Sequence, residues 1–563
     1  MTTPPFALER TAFAALVVGL CLLVLTAASL PAMPVDETRY LTVAWEMRAN
    51  DSWVLPTLNF EPYSHKPPLL FWLINALWSV LGLEVWPARL VGFASMGVTL
   101  FLTGRLDRAL AQAPESPEQA ALPARSVLIL LGLPVFLGLG FAIMFDMLLT
   151  VTAVGALLAL WNAGKSGGYK PWLLYGLCIG LGLLAKGPVV LLYVLPPALL
   201  GYFWIDPERR RGWYVRLVGA VGLGAAIGLA WALRAAMLGG PEYAEMIFWK
   251  QSAGRMASSF AHARPLWFYV PIAVFFFLPV ILWRPVREAL RTSVTTAGAA
   301  RNFLFSWLLP AFAGLSVISG KQLHYFLPLV PGIAILISLG LRKASFQPSD
   351  SRMFPIFASA AGIILVALLA TARKWAPLPP DGTLSSVVAN AHLPSIVAAT
   401  VVAISVFLIL NRSVSQILIG IAMANVLLLG TLCAESRSTV AHLYDLRPMS
   451  KVIAELSGRP IAATDRSRGE FGFFAKLRSP VVLVPVNRLA CWMASNPEGA
   501  VIVRSHLDED ELAETGISYR TIYQQTYRND ELWKIVEAKD VPQRVCGSPG
   551  SGGEVPSEDI APD

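Results

Sequence analysis

Charge is what this sequence has little of. Asp, Glu, Lys and Arg make up 15% of its 563 residues, against 55% hydrophobic ones and a mean hydropathy of +0.57. Soluble domains carry roughly 25% charged residues, so an ordinary water-soluble enzyme is excluded. Cysteine is scarce as well. Of the five, Cys21, Cys178 and Cys433 lie within apolar runs, Cys491 and Cys546 lie in a polar C-terminal region, and no CxxC or Cys/His zinc spacing occurs. A Cys491–Cys546 disulfide becomes an expectation only if that region is extracytoplasmic. The net charge of +8 does not point to nucleic acid, because the basic residues cluster in short loops between apolar runs, a topology signal.

What is present is a series of charge-poor apolar runs from Thr11 to Ala434, each near the ~20 residues that a helix needs to cross hydrocarbon. Fourteen are marked, from 11–33 to 413–434. The first exceeds the apolar stretch of a secretory signal and no A-x-A-like cleavage site follows, so it reads as a retained helix. Basic residues at Arg105, Arg108, Arg125, Lys165, Lys170, Arg209, Arg210, Arg211, Arg216, Arg284, Arg287, Arg291, Arg342, Lys343 and Arg352 mark cytoplasmic loops. If 67–83 spans, the N-terminus is outside and Asp36 inside; if it lies in the interface, the reverse holds. The loop 36–66 has three Lys/Arg and five Asp/Glu, a poor cytoplasmic loop. The expected fold is therefore an α-helical polytopic membrane protein of about thirteen spans, with 67–83 dipping or interfacial.

Three regions are expected: a membrane domain over 1–434, with a first outer loop over 34–66 or to 83; a small α/β domain over 435–546; and a disordered tail over 547–563. Short β-rich runs, Val481 to Val486, Ala500 to Val503 and Ile517 to Tyr523, alternate with helical stretches such as Met449 to Leu456. From Gly547 the Gly/Ser/Pro/acidic composition cannot bury a core.

Chemistry is sought where charge sits against expectation. Asp36 and Glu37 open an amphipathic stretch whose Tyr40, Val43, Ala44 and Met47 share a helical face, which predicts a helix lying on the membrane surface. Asp36 reads either as an N-cap or as a catalytic carboxylate, and the two are compatible. Asp146 joins two apolar runs with no loop to solvate it, which is costly without a partner or a site. Lys66 precedes Pro67-Pro68 at a helix start, and Lys186 and Lys321 sit at outer helix ends. One such lysine is ordinarily a snorkelling side chain; several on the disfavoured side imply an anionic ligand. Arg255 and Arg264 add forked phosphate donors. His65 and His262 are candidates to share a divalent metal with a carboxylate, hydrogen-bonding histidines being the alternative.

Together, Asp36-Glu37-Thr38-Arg39-Tyr40, Lys66-Pro67-Pro68, Asp146, Lys186-Gly187, His262 with Pro265 to Tyr269, and Gly320-Lys321 with Tyr325 to Pro328 resemble the lipid A aminoarabinose transferases, within the protein O-mannosyltransferase-like superfamily of polyprenyl-phosphate-dependent enzymes. The likeness runs in order through most of residues 30–340. It implies a GT-C fold of thirteen spans, an interfacial helix pair in the first loop, a periplasmic cavity and a small periplasmic C-terminal domain in a bacterial inner-membrane protein. It places Asp36 and Asp146 near the reacting centre and Lys66, Arg255 and Lys321 on the carrier phosphate; Glu37 is a further catalytic candidate, Arg264 and Lys186 are further phosphate-binding candidates, and Arg39, Tyr40, Tyr63 and Tyr325 are candidates to line the substrate cavity. Two positions depart from the family: His65 stands where a Glu usually precedes Lys-Pro, and Arg264 follows the family's His one place late.

The activity implied is direct, inverting transfer of a sugar, 4-amino-4-deoxy-L-arabinose or a related pentose or hexose, from a polyprenyl-phosphate donor such as undecaprenyl phosphate to lipid A or another lipid or glycan. Protein O-glycosylation is the nearest rival. A lipid flippase or transporter is the rival from another class, although the paired half-repeats common there are not evident.

Overall fold

The computed structural model describes residues 5–111, 122–249, 264–296, 298–375, 391–439, 441–465, 468–504, 518–527 and 531–540. Among them, eight helices are long and apolar enough to cross a membrane, from Ala7–Ala28 through Val85–Ala111, Phe145–Ser166 and Trp213–Trp249 to Val414–Arg437. At 1.5 Å per residue, Phe145–Ser166 rises about 33 Å, matching a ~30 Å hydrocarbon core. Large apolar side chains such as Val18, Leu25, Val215, Val218 and Ile363 point outward, as contact with lipid tails requires. Inside, Leu128 to Leu131, Leu157, Trp161, Trp307 and Ile335 form the packed centre.

One expected span is broken in two, and the run expected to dip or lie in the interface is indeed too short to cross. The run 126–145 folds as Arg125–Leu131 and Pro134–Phe141. Pro134 suits the first turn of the second helix, and it holds Leu133 before it in extended backbone, φ −104° and ψ 108°. The run 67–83 becomes Leu69–Leu81, which at 13 residues rises about 20 Å, too short to span. Its buried stripe Leu70, Phe71, Ile74 and Trp78 packs with the first-loop helix Asp36–Ala49.

That loop helix differs from the surface helix predicted. Every residue from Tyr40 to Met47 is buried, because Leu69–Leu81 covers one side and a C-terminal segment the other. The Asn75 amide donates to the Ala44 carbonyl at 2.9 Å from below. Asp36 is the first helical residue and Val35 occupies the capping position. A two-stranded hairpin follows, β1 (Thr57–Leu58) and β2 (Glu61–Pro62), turned by Asn59 and Phe60 at φ 54° and 66°.

Beyond Thr439 lies a five-stranded sheet in the order β4-β3-β5-β7-β6, formed by β3 (Ile461–Ala463), β4 (Val482–Leu483), β5 (Ala500–Arg504), β6 (Ser518–Tyr527) and β7 (Glu531–Asp540). β3 is parallel to β4 and β5, and β7 is antiparallel to β5 and β6. The three predicted strand runs correspond to β4, β5 and β6, and the predicted helix to Arg447–Glu455. Cys546 and the expected tail 547–563 lie outside the described residues.

Candidate active site

Two consecutive helices build the floor of the site. Phe145–Ser166 runs away from it, and after a turn at Gly167 (φ 69°) Tyr169–Lys186 runs back. Their rises, about 33 and 27 Å, nearly match, so Lys186 in the last turn returns to the level of Asp146 in the first. The two side chains form an ion pair. Both helix ends favour it, since the N-terminus of one attracts the carboxylate and the C-terminus of the other attracts the ammonium. Asp146 is buried at 3% exposure. His324 Nε2 stands 3.8 Å from its second oxygen.

A second layer closes over this pair. Lys186 Nζ lies 4.5 Å from the centre of the Tyr325 ring, cation–π geometry. The backbone carrying Tyr325 is pinned by Tyr193, whose hydroxyl donates to the Tyr325 carbonyl at 2.8 Å, and by Tyr269, which donates to that of Gln322 at 3.2 Å. Lys66 Nζ is 5.9 Å from the Phe145 ring, and its charge acts on Asp146 together with that of Lys186. Tyr40 meets Phe145 edge-on at 4.9 Å. Burial foremost, and then the Asp36 charge, hold the Tyr40 hydroxyl well above its ordinary range, so it stays protonated.

Asp36 is exposed, with no ion pair or side-chain hydrogen bond engaging its carboxylate among the described residues. It is close enough to act electrostatically on both Tyr40 and His324. The two aspartates thus act on the same side chains, Tyr40 and His324, from different states: Asp146 buried and paired, Asp36 exposed. Arg39 is half-buried beside Tyr40, and Tyr63 stacks on His65 at 5.2 Å.

Glu37 turns away from these groups. Its Oε2 accepts from Arg89 Nη2 and from the Met33 amide, each at 2.7 Å, and its Oε1 accepts from the Ile143 amide at 2.9 Å. Lys321 is buried at 3% exposure, which pushes its ammonium below the ordinary lysine value. It donates to the carbonyl of the exposed Arg264 at 2.9 Å. Arg255 and His262 lie outside the described residues. Among the described residues no three His, Cys, Asp or Glu side chains gather as metal ligands, and His65 is packed flat against Tyr63.

Two partners were missed in the sequence. Arg89 sits at the edge of an apolar run and reads as an interfacial charge; His324 stands three residues after Lys321, and its nearness to Asp146 is visible only once the helices are packed.

The family described as dolichyl-phosphate-mannose-protein mannosyltransferase matches residues 65–234. Two relatives from Pseudomonas fluorescens (strain Pf0-1), undecaprenyl phosphate-alpha-4-amino-4-deoxy-L-arabinose arabinosyl transferases 1 and 2, are 30% identical over 345 residues and 32% identical over 317. These alignments cover 60% and 54% of this chain and 59% and 55% of the relatives. The chain thus spans less than two thirds of either. The crystal structure of ArnT from Cupriavidus metallidurans bound to undecaprenyl phosphate superposes with a TM-score of 0.73 at 18% identity, covering 95% of this chain and 99% of that one. This chain therefore has the GT-C membrane fold, and it resembles the aminoarabinose transferases of the polyprenyl-phosphate-dependent, protein O-mannosyltransferase-like superfamily.

Proposed function

We propose that this chain is a multi-pass glycosyltransferase of the bacterial inner membrane, its chamber and C-terminal domain facing the periplasm. It takes a sugar, 4-amino-4-deoxy-L-arabinose or a related pentose or hexose, from an undecaprenyl-phosphate-type donor and passes it to lipid A or another envelope lipid or glycan. The observation that carries this reading is the paired Asp146 and Lys186, with the Lys66 charge acting on the same carboxylate and Asp36 acting on the neighbouring Tyr40 and His324. The names of the relatives support the donor, and the acceptor follows by likeness.

The reaction forms one bond at the anomeric carbon, from the acceptor oxygen, and breaks the bond to the carrier phosphate, which leaves with the electron pair. Direct displacement inverts that centre. The departing group gains negative charge, so Lys66 and Lys186 act as fixed positive charge aimed at it. Asp146 holds Lys186 in place. Asp36, open and uncommitted, takes the proton when the acceptor is a hydroxyl. An acceptor phosphate is already ionised, and Asp36 then orients it or stabilises positive character on the sugar. Glu37, with both oxygens engaged, acts through position.

Mass spectrometry of lipid A and of envelope proteins, from cells with and without the gene, tests the reading. Loss of a sugar mass from lipid A is the expected result. Loss confined to proteins would move the assignment to protein glycosylation, and no change in any pool would reject it.

A further inference from the structure

The helix bearing Asp36, Arg39 and Tyr40 is held from above by one stretch of the C-terminal domain, the segment 469–481 that leads from β3 to β4. Thr42 is the centre of the joint. Its hydroxyl donates to the Gly469 carbonyl at 2.7 Å and accepts from the Phe473 amide at 3.0 Å, both in buried surroundings. One turn on, Trp45 Nε1 donates to the Leu477 carbonyl at 2.9 Å. Asn59, in the turn of the hairpin, bonds Val481 in both directions, donating to its carbonyl at 3.0 Å and accepting from its amide at 2.8 Å. Phe473 reaches past the helix and stacks on Trp78 at 4.9 Å with planes 7° apart. The hydrogen-bonded partners lie more than 400 positions apart in sequence.

Glycines allow this approach. A Cβ at Gly469, which also adopts φ +90°, would come within 2.8 Å of Leu58 and 3.1 Å of the Arg39 Cα. A Cβ at Gly472 would run into the Thr42 methyl. Only residues without a side chain let the two backbones lie this close. Thr42 and Trp45, three apart, face the segment, whereas Tyr40 faces Phe71 and Phe145 on the membrane side. The middle of the helix is therefore held on two sides.

Resting on the glycosyltransferase reading, we propose that segment 469–481 is a positioning clamp for the reaction, with Thr42, Gly472 and Phe473 as positioning residues that set where Asp36 and Arg39 stand in the chamber. A sheet domain at the far end of the chain thereby becomes part of the catalytic apparatus. A displacement of about 1 Å in such a constellation lowers rate by up to ~100-fold.

The test uses the full chain in native-composition membranes or nanodiscs, with Gly472→Ala, Thr42→Ser and the pair together. Ser keeps the hydroxyl and lacks the methyl that Gly472→Ala would strike. Gly472→Ala alone should raise amide hydrogen exchange over residues 36–47 and cut kcat about 10- to 100-fold with donor KM changed far less. Adding Thr42→Ser should restore both. Unchanged exchange and kcat in Gly472→Ala would overturn the clamp. Faster exchange with wild-type kcat would overturn its positioning role and leave a purely structural joint. A wild-type protein that transfers no sugar to any envelope acceptor is a different outcome, which removes the glycosyltransferase reading and this inference with it.

Discussion

Arg89 and Glu37, 52 positions apart, form a buried ion pair at 2.7 Å with side-chain exposures of 4% and 5%. The guanidinium also donates to the carbonyls of Ala27, Leu30 and Pro31, at 2.7 to 2.9 Å. Glu37 in turn holds the amide of Ile143, three residues before Asp146. One carboxylate thus ties the residue after Asp36 to the strand of chain leading into Asp146.

Removing either partner strands a buried charge, which typically costs about 3–5 kcal/mol. Glu37→Gln and Arg89→Met should therefore each lower thermal stability in detergent markedly, and the joint substitution should be milder than the sum of the two. Single variants as stable as the wild type would mean that the pair does not brace the loop.

Asp36 and Glu37 are neighbours with opposite expected phenotypes. Asp36→Asn should leave the unfolding temperature within the small change usual for an exposed substitution, because no partner among the described residues engages the carboxylate, while cutting transfer in membrane vesicles by two orders of magnitude or more, about what a general base supplies. Retained transfer would exclude Asp36 from the chemistry.

Much of this arrangement is readable from the chain itself, for a physical reason. Asp146 at a junction without a loop, and Lys66 and Lys186 at helix ends against the charge bias, are each expensive where they stand, and expense in hydrocarbon marks a site. The partners are less legible. Glu37 stands beside Asp36 in the same motif, and nothing in the order of residues says that one faces the chamber and the other Arg89. Thr42 and Gly472 look like any helix threonine and loop glycine until the sheet is placed over the loop. That 67–83 does not span is legible in the acidic balance of the loop before it, whereas the stop of Leu69–Leu81 at Gly82, φ 90°, is not disclosed by an apolar run.

Lys476 gives the clamp a pH signature. Its ammonium lies 3.5 Å from the Phe473 ring centre and 5.1 Å from that of Trp45. Burial pushes its pKa down to about 8 from an ordinary 10.5, against the opposing pull of Glu84. The folded value is the lower one, so between about pH 8 and 10.5 the unfolded chain holds the extra proton and this group's contribution to stability rises with pH. Below pH 8 the charged ammonium carries its full desolvation cost. Lys476→Met should stabilise the protein at pH 7 and flatten the rise of unfolding temperature between pH 8 and 10. An equally steep rise in the variant would assign that dependence to other groups.

Lys66 and Lys186 should fail differently, because their surroundings differ. Lys186 is bound to Asp146, so Lys186→Met leaves a carboxylate at 3% exposure without its ion-pair partner. That variant should lose stability as well as transfer, and Asp146→Asn in the same background should recover part of the stability without recovering activity. Lys66 lies over the Phe145 ring at a half-buried position, and its main task in the proposed reaction is to meet the leaving phosphate. Lys66→Ala should therefore lower kcat by about 10²–10³, as loss of one preorganised donor does, with a far smaller change in unfolding temperature than Lys186→Met. Lys66→Arg should regain part of the rate, since the charge is kept. Thermal unfolding and single-turnover transfer on the same preparations separate the two lysines, and identical profiles for Lys66→Ala and Lys186→Met would contradict the division of labour drawn from the Asp146 pair.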